Sequence, residues 1–246
     1  MIIERMANEL GVSTLYIENL ARGASHAYVE YSIKKRTGGV RTIHHPSKPL
    51  KALQRWLLFN VIQELPVHSQ AVAYRKGRSI LDNARAHQSS KYLLRMDLSN
   101  FFPSITQADL AKYIAERPAL FAGWSAADID TFCRIVCRKS LLTIGAPTSP
   151  ALSNAICYDM DTLLQALAAK HGATYTRYAD DLFFSTKQPN TLRQIETEAQ
   201  EIIPRLKVPA SLKAMPPRQG TLLSEGPDAL RASCSGVTVT LTLAAI

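Results

Sequence analysis

Apolar residues recur at helical spacing through residues 2–22, and Gly11 and Ser13 interrupt the run, which predicts two short helices. The period then changes. Tyr28 to Ile33 and Val40 to Ile43 read as strands flanking Lys34-Lys35-Arg36-Thr37-Gly38-Gly39, a hairpin whose Gly-Gly turn permits positive φ. Helical spacing returns over Pro49 to Leu65, with Leu50, Leu53, Trp56, Leu57, Val61 and Leu65 inside and Lys51, Gln54 and Arg55 outside. Ala71 to Arg78 predicts a short strand running into a basic glycine turn, and Ser79 is placed to cap a helix that reaches His87.

Tyr92 to Asp97 is a β-run that ends in an acid. Two helices are predicted beyond it, Thr106 to Glu116 and Ser125 to Arg138, the second with Ser125 as cap and Asp128 at its third position. Leu141 to Pro150 is a loop whose path is set by Gly145 and Pro147, and it opens a predicted helix over Ala151 to Lys170. Strands rich in Thr, Tyr and Phe, Ala173 to Arg177 and Leu182 to Ser185, then flank Tyr178-Ala179-Asp180-Asp181. A helix from about Asn190 to Arg205 follows. The tail carries Pro204, Pro209, Pro216 and Pro217 and two weak strands, Thr221 to Leu223 and Val237 to Leu243.

Composition narrows the class of partner. The chain has 246 residues and is 46% hydrophobic, as an ordinary globular protein is. Its 29 Lys and Arg outnumber 20 acids, for a net charge of +9, and such a field favours a polyanion, nucleic acid first. A merely solvated basic surface is the alternative. The basic residues concentrate early, at Lys34, Lys35, Arg36, Arg41, Lys48, Lys51, Arg55, Arg75, Lys76 and Arg78. Cys133, Cys137, Cys157 and Cys234 form no CxxC pair, so neither a zinc site nor a disulfide framework is expected, and a reduced cytoplasmic setting fits. No apolar run approaches membrane-spanning length, so membrane insertion is not expected.

The acids carry the chemistry. Asp180 and Asp181 repel each other at a hairpin tip that Asn-Gly would form at lower cost, which points to a bound cation or, more blandly, to a solvated turn. Asp97 at a strand end is either a metal ligand fixed by its scaffold or a surface acid. One antiparallel sheet would bring all three carboxylates together, a hard-oxygen set suited to two Mg²⁺ ions, with Mn²⁺ as a substitute. The basic hairpins would then hold a triphosphate. Phosphoryl transfer needs chiefly positioning and charge neutralisation, which this set supplies.

The order of these motifs resembles a reverse transcriptase of the bacterial retron type over residues 28–186. The likeness runs through Ile33-Lys34-Lys35-Arg36 to Arg41-Thr42-Ile43, Leu53-Gln54-Arg55 and Arg78-Ser79-Ile80. It continues with Met96-Asp97-Leu98-Ser99-Asn100-Phe101-Phe102, Gly145-Ala146-Pro147-Thr148-Ser149-Pro150 and Tyr178-Ala179-Asp180-Asp181. Asn83-Ala84-Arg85-Ala86-His87 matches the retron element Asn-Ala-x-x-His. The retron Val-Thr-Gly triplet would fall at Val237-Thr238-Val239, where the third residue departs.

The resemblance implies an α+β right-hand polymerase with fingers over residues 1–90 and a first palm segment over 91–104. A helical insert over 105–144 and the remaining palm, with primer-grip-like strands, over 145–246 would follow, without a complete thumb. It implies that Asp97, Asp180 and Asp181 are catalytic and bind metal with the Leu98 carbonyl, and that Lys35, Arg41, Phe102, Gly145 and Ala146 hold the nucleotide. Phe102 occupies the steric-gate position. Tyr178, Arg78, Asn83 and His87 would bind primer and template, and Lys213 is a candidate to protonate pyrophosphate. Ile144 stands where the family usually has Gln, so that polar contact to the nucleotide is missing. The implied activity is RNA-directed DNA synthesis from dNTPs on a structured non-coding RNA, giving an RNA–DNA hybrid, in anti-phage defence beside an effector protein or a thumb-supplying chain. The rivals are another defence-associated or group-II-intron-like reverse transcriptase, and a nucleic-acid-binding scaffold with weak catalysis.

Overall fold

The computed structural model describes residues 2–34 and 39–205. The hairpin tip with Lys35, together with Lys213, Cys234, Val237-Thr238-Val239 and both predicted tail strands, lies outside them. Helices α1 (Ile2–Leu10) and α2 (Thr14–Arg22) meet at a turn where Gly11 has φ 67°, and Ser13 Oγ caps α2 by accepting the Tyr16 N–H at 3.1 Å. Strands β1 (Tyr28–Lys34) and β2 (Val40–Pro46) pair antiparallel, with Tyr31 opposite Ile43.

Helix α3 (Lys48–Asn60) is shorter than its apolar pattern, because Val61 leaves helical geometry at φ −134° and a 3₁₀ turn takes Ile62–Glu64. The short strand expected from Ala71 into the basic glycine turn reduces to one parallel bridge, Ala71 to Arg177, because the chain turns at Tyr74, φ 62°. Helix α4 (Ile80–His87) begins where Ser79 donates from both N and Oγ to Asp82 Oδ2, at 2.7 and 2.8 Å. Strand β3 (Tyr92–Asp97) leads into a single short turn of helix, α5 (Phe101–Ser104). Helices α6 (Gln107–Ala115) and α7 (Ala126–Val136) each start with a reciprocal capping box, Thr106 with Asp109 and Ser125 with Asp128.

The helix expected over Ala151 to Lys170 is two, α8 (Ser149–Ile156) and α9 (Tyr158–Lys170), broken at Cys157. The break has a packing cause. Leu152, Ala155 and Ile156 belong to one hydrophobic core, formed with α1, α2, α3, α6 and α7, whereas Met160, Leu164, Leu167 and Ala168 belong to a second, under the sheet. Changing cores requires a change of helix direction. Strands β4 (Thr174–Tyr178) and β5 (Asp181–Thr186) follow, then α10 (Thr191–Arg205). Buried Cys133, Cys137 and Cys157 are free thiols in these cores. The expected α+β organisation is present, and no helix among the described residues is long and apolar enough to cross a membrane.

The second sheet has the order β3-β5-β4, antiparallel throughout, and its two faces differ. Alternation sends Leu94, Met96, Leu182, Phe184 and Tyr175 into the second core. Arg95, Asp97, Asp181, Phe183, Ser185 and Thr176 take the other face by the same register. Arg177 is the exception on the core face, fully buried beside α9. Its Nε and Nη2 reach Asp161 Oδ1 and Oδ2 at 2.8 and 2.7 Å, and its Nη1 donates to the Ala179 carbonyl at 3.1 Å. Tyr175 donates its hydroxyl to the same Asp161 at 2.8 Å.

Removing one partner of such a pair strands a buried charge. Arg177→Met should therefore cost about 3–5 kcal/mol in urea denaturation, and Asp161→Leu added to it should recover much of that loss. A double variant no more stable than Arg177→Met would contradict the pairing.

Candidate active site

The acids gather at one end of the sheet because the β3–β5 register ends there. Asp97 lies directly opposite Asp181, and the Leu98 N–H donates to the Asp180 carbonyl at 2.9 Å, so the chain beyond β3 is tied to the β4–β5 turn. That turn has two residues, Ala179 and Asp180, between the paired Tyr178 and Asp181. Ala179 holds φ 59°, a conformation that a Cβ disfavours, and its carbonyl is the one bonded by buried Arg177.

The carboxylates lie close enough for their charges to act on one another. Arg95, two residues before Asp97 and so on the same face, takes Asp181 in a fork, Nε to Oδ1 at 2.9 Å and Nη2 to Oδ2 at 3.0 Å. Among the described residues no group of three or more His, Cys, Asp or Glu side chains is assembled as it would be around a metal ion. Burial pushes Asp181 up to about 6 against the pull of Arg95, and repulsion from Asp180 and Asp97 adds to the rise. Burial also raises Asp180, helped by Asp97 and opposed by its own backbone hydrogen bond, Arg41 and Arg95. Concentrated negative charge is thus held in a half-buried place, where added positive charge is favourable.

The other predicted residues distribute unevenly around this end. Arg41, exposed on β2, is close enough for its charge to act on Asp180. Gly145 brings its loop against the same strand: at φ 113°, a Cβ there would sit 2.5 Å from the His44 carbonyl oxygen. His44 N–H donates to the Ile144 carbonyl at 2.8 Å, and the His44 ring pairs with Thr143 Oγ1 at 2.7 Å. Ala146 is buried in the loop. Phe102 is half-buried, packed on Phe101 and on both cores. Tyr178 is half-buried at the hairpin, and Arg78 is exposed at the entry to α4, where its charge acts on Asp82.

Asn83 and His87 point at the sheet, not at solvent. His87 Nδ1 and Nε2 pair with Ser185 Oγ and Thr176 Oγ1, both at 2.7 Å, and Thr176 donates to Asn83 Oδ1 at 2.7 Å. Both side chains are buried, so Asn-Ala-x-x-His here fastens α4 to the rungs behind the acids.

Sequence reasoning missed Arg95, Arg177, Asp161 and Tyr74. Strand alternation alone places Arg95 on the face of Asp97. The partners of Arg177 and the turn at Tyr74 depend on contacts between distant segments, for which no local pattern exists.

A mixed helix-and-sheet domain whose antiparallel hairpin carries adjacent aspartates beside a strand-end aspartate is built on the right-hand polymerase plan. The family model described as reverse transcriptase (RNA-dependent DNA polymerase) matches residues 33–213, and the chain belongs to that family. It is similar to the retron Mx162 reverse transcriptase of Myxococcus xanthus, 41% identical over 212 residues that cover 77% of this chain and 43% of that protein. The retron Ec83 and Ec86 reverse transcriptases of Escherichia coli are 39% and 34% identical, over 70% and 80% of this chain and 56% and 60% of theirs. The chain spans about half the length of these relatives. Among solved structures, apo telomerase from Candida tropicalis is similar at a TM-score of 0.49 with 13% identity, over 78% of this chain and 43% of that one.

Burial holds His87 neutral, lowered from 6.5 to about 4. The unfolded chain therefore binds a proton that the folded one refuses, so stability is present above pH 6.5 and falls as pH drops. The loss should be about 2 kcal/mol between pH 7 and pH 5. Asp181, raised, contributes in the opposite direction, with stability lost as pH rises toward 6. Comparing wild type with His87→Gln in urea titrations at both pH values, with EDTA, cancels that contribution and should leave the His87 slope. Parallel curves would show that His87 is not held neutral.

Proposed function

We propose that the protein is a cytoplasmic RNA-directed DNA polymerase of the retron type, copying a structured non-coding RNA into DNA. The observation that carries this reading is the pairing of Asp97 with Asp181 beside Asp180, at the open end of the sheet of a reverse transcriptase family member. The product would be an RNA–DNA hybrid. The retron likeness extends the reading to anti-phage defence beside an effector protein.

Reverse transcriptases use divalent metal ions. Asp97 and Asp180 offer hard oxygens whose mutual repulsion a divalent cation would relieve, so the donor chemistry fits Mg²⁺, with Mn²⁺ as a substitute. The Leu98 carbonyl completes the proposed set, and Asp181 joins it to the extent that the Arg95 fork yields. When bound, such ions make the primer hydroxyl more acidic and neutralise the leaving pyrophosphate. In the reaction, the primer 3′-oxygen bonds to the α-phosphorus of a dNTP, its proton is lost, and the bond to pyrophosphate breaks.

The chain's own residues position these groups. Arg41, with Lys35, would hold the triphosphate by charge, and Gly145 and Ala146 would form the nucleotide's floor against β2. Phe102 would crowd a ribose 2′-hydroxyl. Tyr178 would lie at the primer end, and Arg78 would meet the template strand. Asn83 and His87 would act indirectly, by fixing the hairpin from behind.

The test is incorporation of labelled dNTPs on a primed RNA template. Outer-shell changes around a metal cost about 10–100-fold, so Asp180→Asn should reduce Mg²⁺-dependent incorporation by at least about 100-fold. EDTA should abolish incorporation, and Mn²⁺ should restore part of it. Equal incorporation by wild type and Asp180→Asn would sink the assignment.

A further inference from the structure

Tyr74 is an aromatic residue that the functional reading so far leaves without a task. Its backbone sits at φ 62°, a region where a bulky side chain is strained and glycine or asparagine is the ordinary occupant. Burial explains the choice only in part, since Tyr74 is 48% exposed although its hydroxyl is desolvated. The chain on the N-terminal side of Tyr74 is held by two bonds, and on the other side Arg75 Nη1 donates to the Ala71 carbonyl at 3.2 Å. Asn154, itself buried, donates Nδ2–H to the Ala73 carbonyl at 2.8 Å, and the Val72 N–H donates to the Arg177 carbonyl at 2.8 Å. Strain kept by this much surrounding structure marks a site where the side chain's position matters.

The position is specific. The Tyr74 ring lies 6.2 Å from the Phe102 ring, tilted by 38°. Burial of its hydroxyl and the charges of Asp180, Tyr178 and Arg41 act on it together, so the ring stands near Asp180, the triphosphate-side arginine and the hairpin tyrosine. A ring that merely covered the core would turn inward. This one stays half exposed while packing beside Phe102, near enough to Asp180 for that charge to act on its hydroxyl.

We propose that Tyr74 is a specificity-determining residue, forming with Phe102 an aromatic wall against which the sugar of the incoming nucleotide rests. Phe102 alone could swing away from a 2′-hydroxyl, and the tilted Tyr74 ring limits that movement. Discrimination between deoxyribose and ribose then depends on both rings. The inference rests on the polymerase reading above, and its test separates the two.

Tyr74→Gly removes the ring and accepts φ 62° without strain, so it should fold; Tyr74→Asn, also tolerant of that backbone, carries the same expectation. Tyr74→Phe keeps the ring. Purified protein is given a primed RNA template, Mg²⁺ and either dNTP or rNTP, and the ratio of their kcat/KM values is measured. Tyr74→Gly and Tyr74→Asn should lower the preference for dNTP about tenfold, the scale on which small steric differences discriminate. Tyr74→Phe should stay within about twofold of wild type. An unchanged ratio in Tyr74→Gly and Tyr74→Asn would overturn the proposal while leaving the polymerase intact. A loss in Tyr74→Phe as large as in Tyr74→Gly would also overturn it, since the hydroxyl and not the ring would then be responsible. If wild type itself shows no incorporation that depends on Asp180, the polymerase reading falls and this inference falls with it.

Discussion

The ion pair between Arg177 and Asp161 is the interaction on which the rest of this structure depends. Both side chains are fully buried, and a charge in a medium of low dielectric is tolerable only when its partner and its remaining hydrogen bonds are all supplied. Here they are: two parallel bonds join the guanidinium to the carboxylate, Tyr175 adds a third to Asp161, and the spare Arg177 nitrogen takes the Ala179 carbonyl. Helix, strand and turn are thereby held by one network. A hydrophobic pair could stabilise the core equally well, but it could not grip a backbone carbonyl at the hairpin tip.

The sheet then acts as a partition. One face belongs to the second core, and the other carries a graded series of polar rungs. At the far end His87 and Asn83 close over Ser185 and Thr176, in the middle lie Phe183 and Arg95, and at the open end stand Asp97 and Asp181. Ser185, Thr176 and Phe183 are buried, while Arg95, Asp97 and Asp181 are partly exposed. The hydrogen bonds of α4 fix the strands at the fully buried end of the face, away from the half-buried acids.

Much of this frame is readable before any coordinates. The strand ending at Asp97, the strand through Leu182 to Ser185 beyond the paired acids, the Gly145 loop, the capping at Ser79 and Ser125 and the first two helices follow from period, turn chemistry and capping, all of them local signals. What escapes is set by distance in sequence. The break at Cys157 exists because α8 and α9 serve different cores, yet the apolar spacing across it is continuous. The segment that begins at Ala71 has strand composition, but among the described residues it pairs only at Ala71, with Arg177 of β4, before Tyr74 turns the chain. The three acids are recognisable by type and order, whereas the Arg95 fork on Asp181 requires knowing which face each side chain takes.

Adjacent acids in sequence therefore occupy unlike environments. Asp181 lies within the strand, clamped by Arg95 and facing Asp97, while Asp180 lies in the turn, tied through its carbonyl to Leu98. The turn between them and Tyr178 runs through Ala179 at φ 59°, which costs about 1–2 kcal/mol for a residue with a Cβ. An Asn-Gly turn would avoid the cost, but its conformation would be chosen locally, by the turn itself. In this chain the conformation is imposed from the core, through the bond from Arg177 to the Ala179 carbonyl. The placement of the Asp180 carboxylate is consequently encoded in part by Asp161, a residue of another element that never approaches the surface.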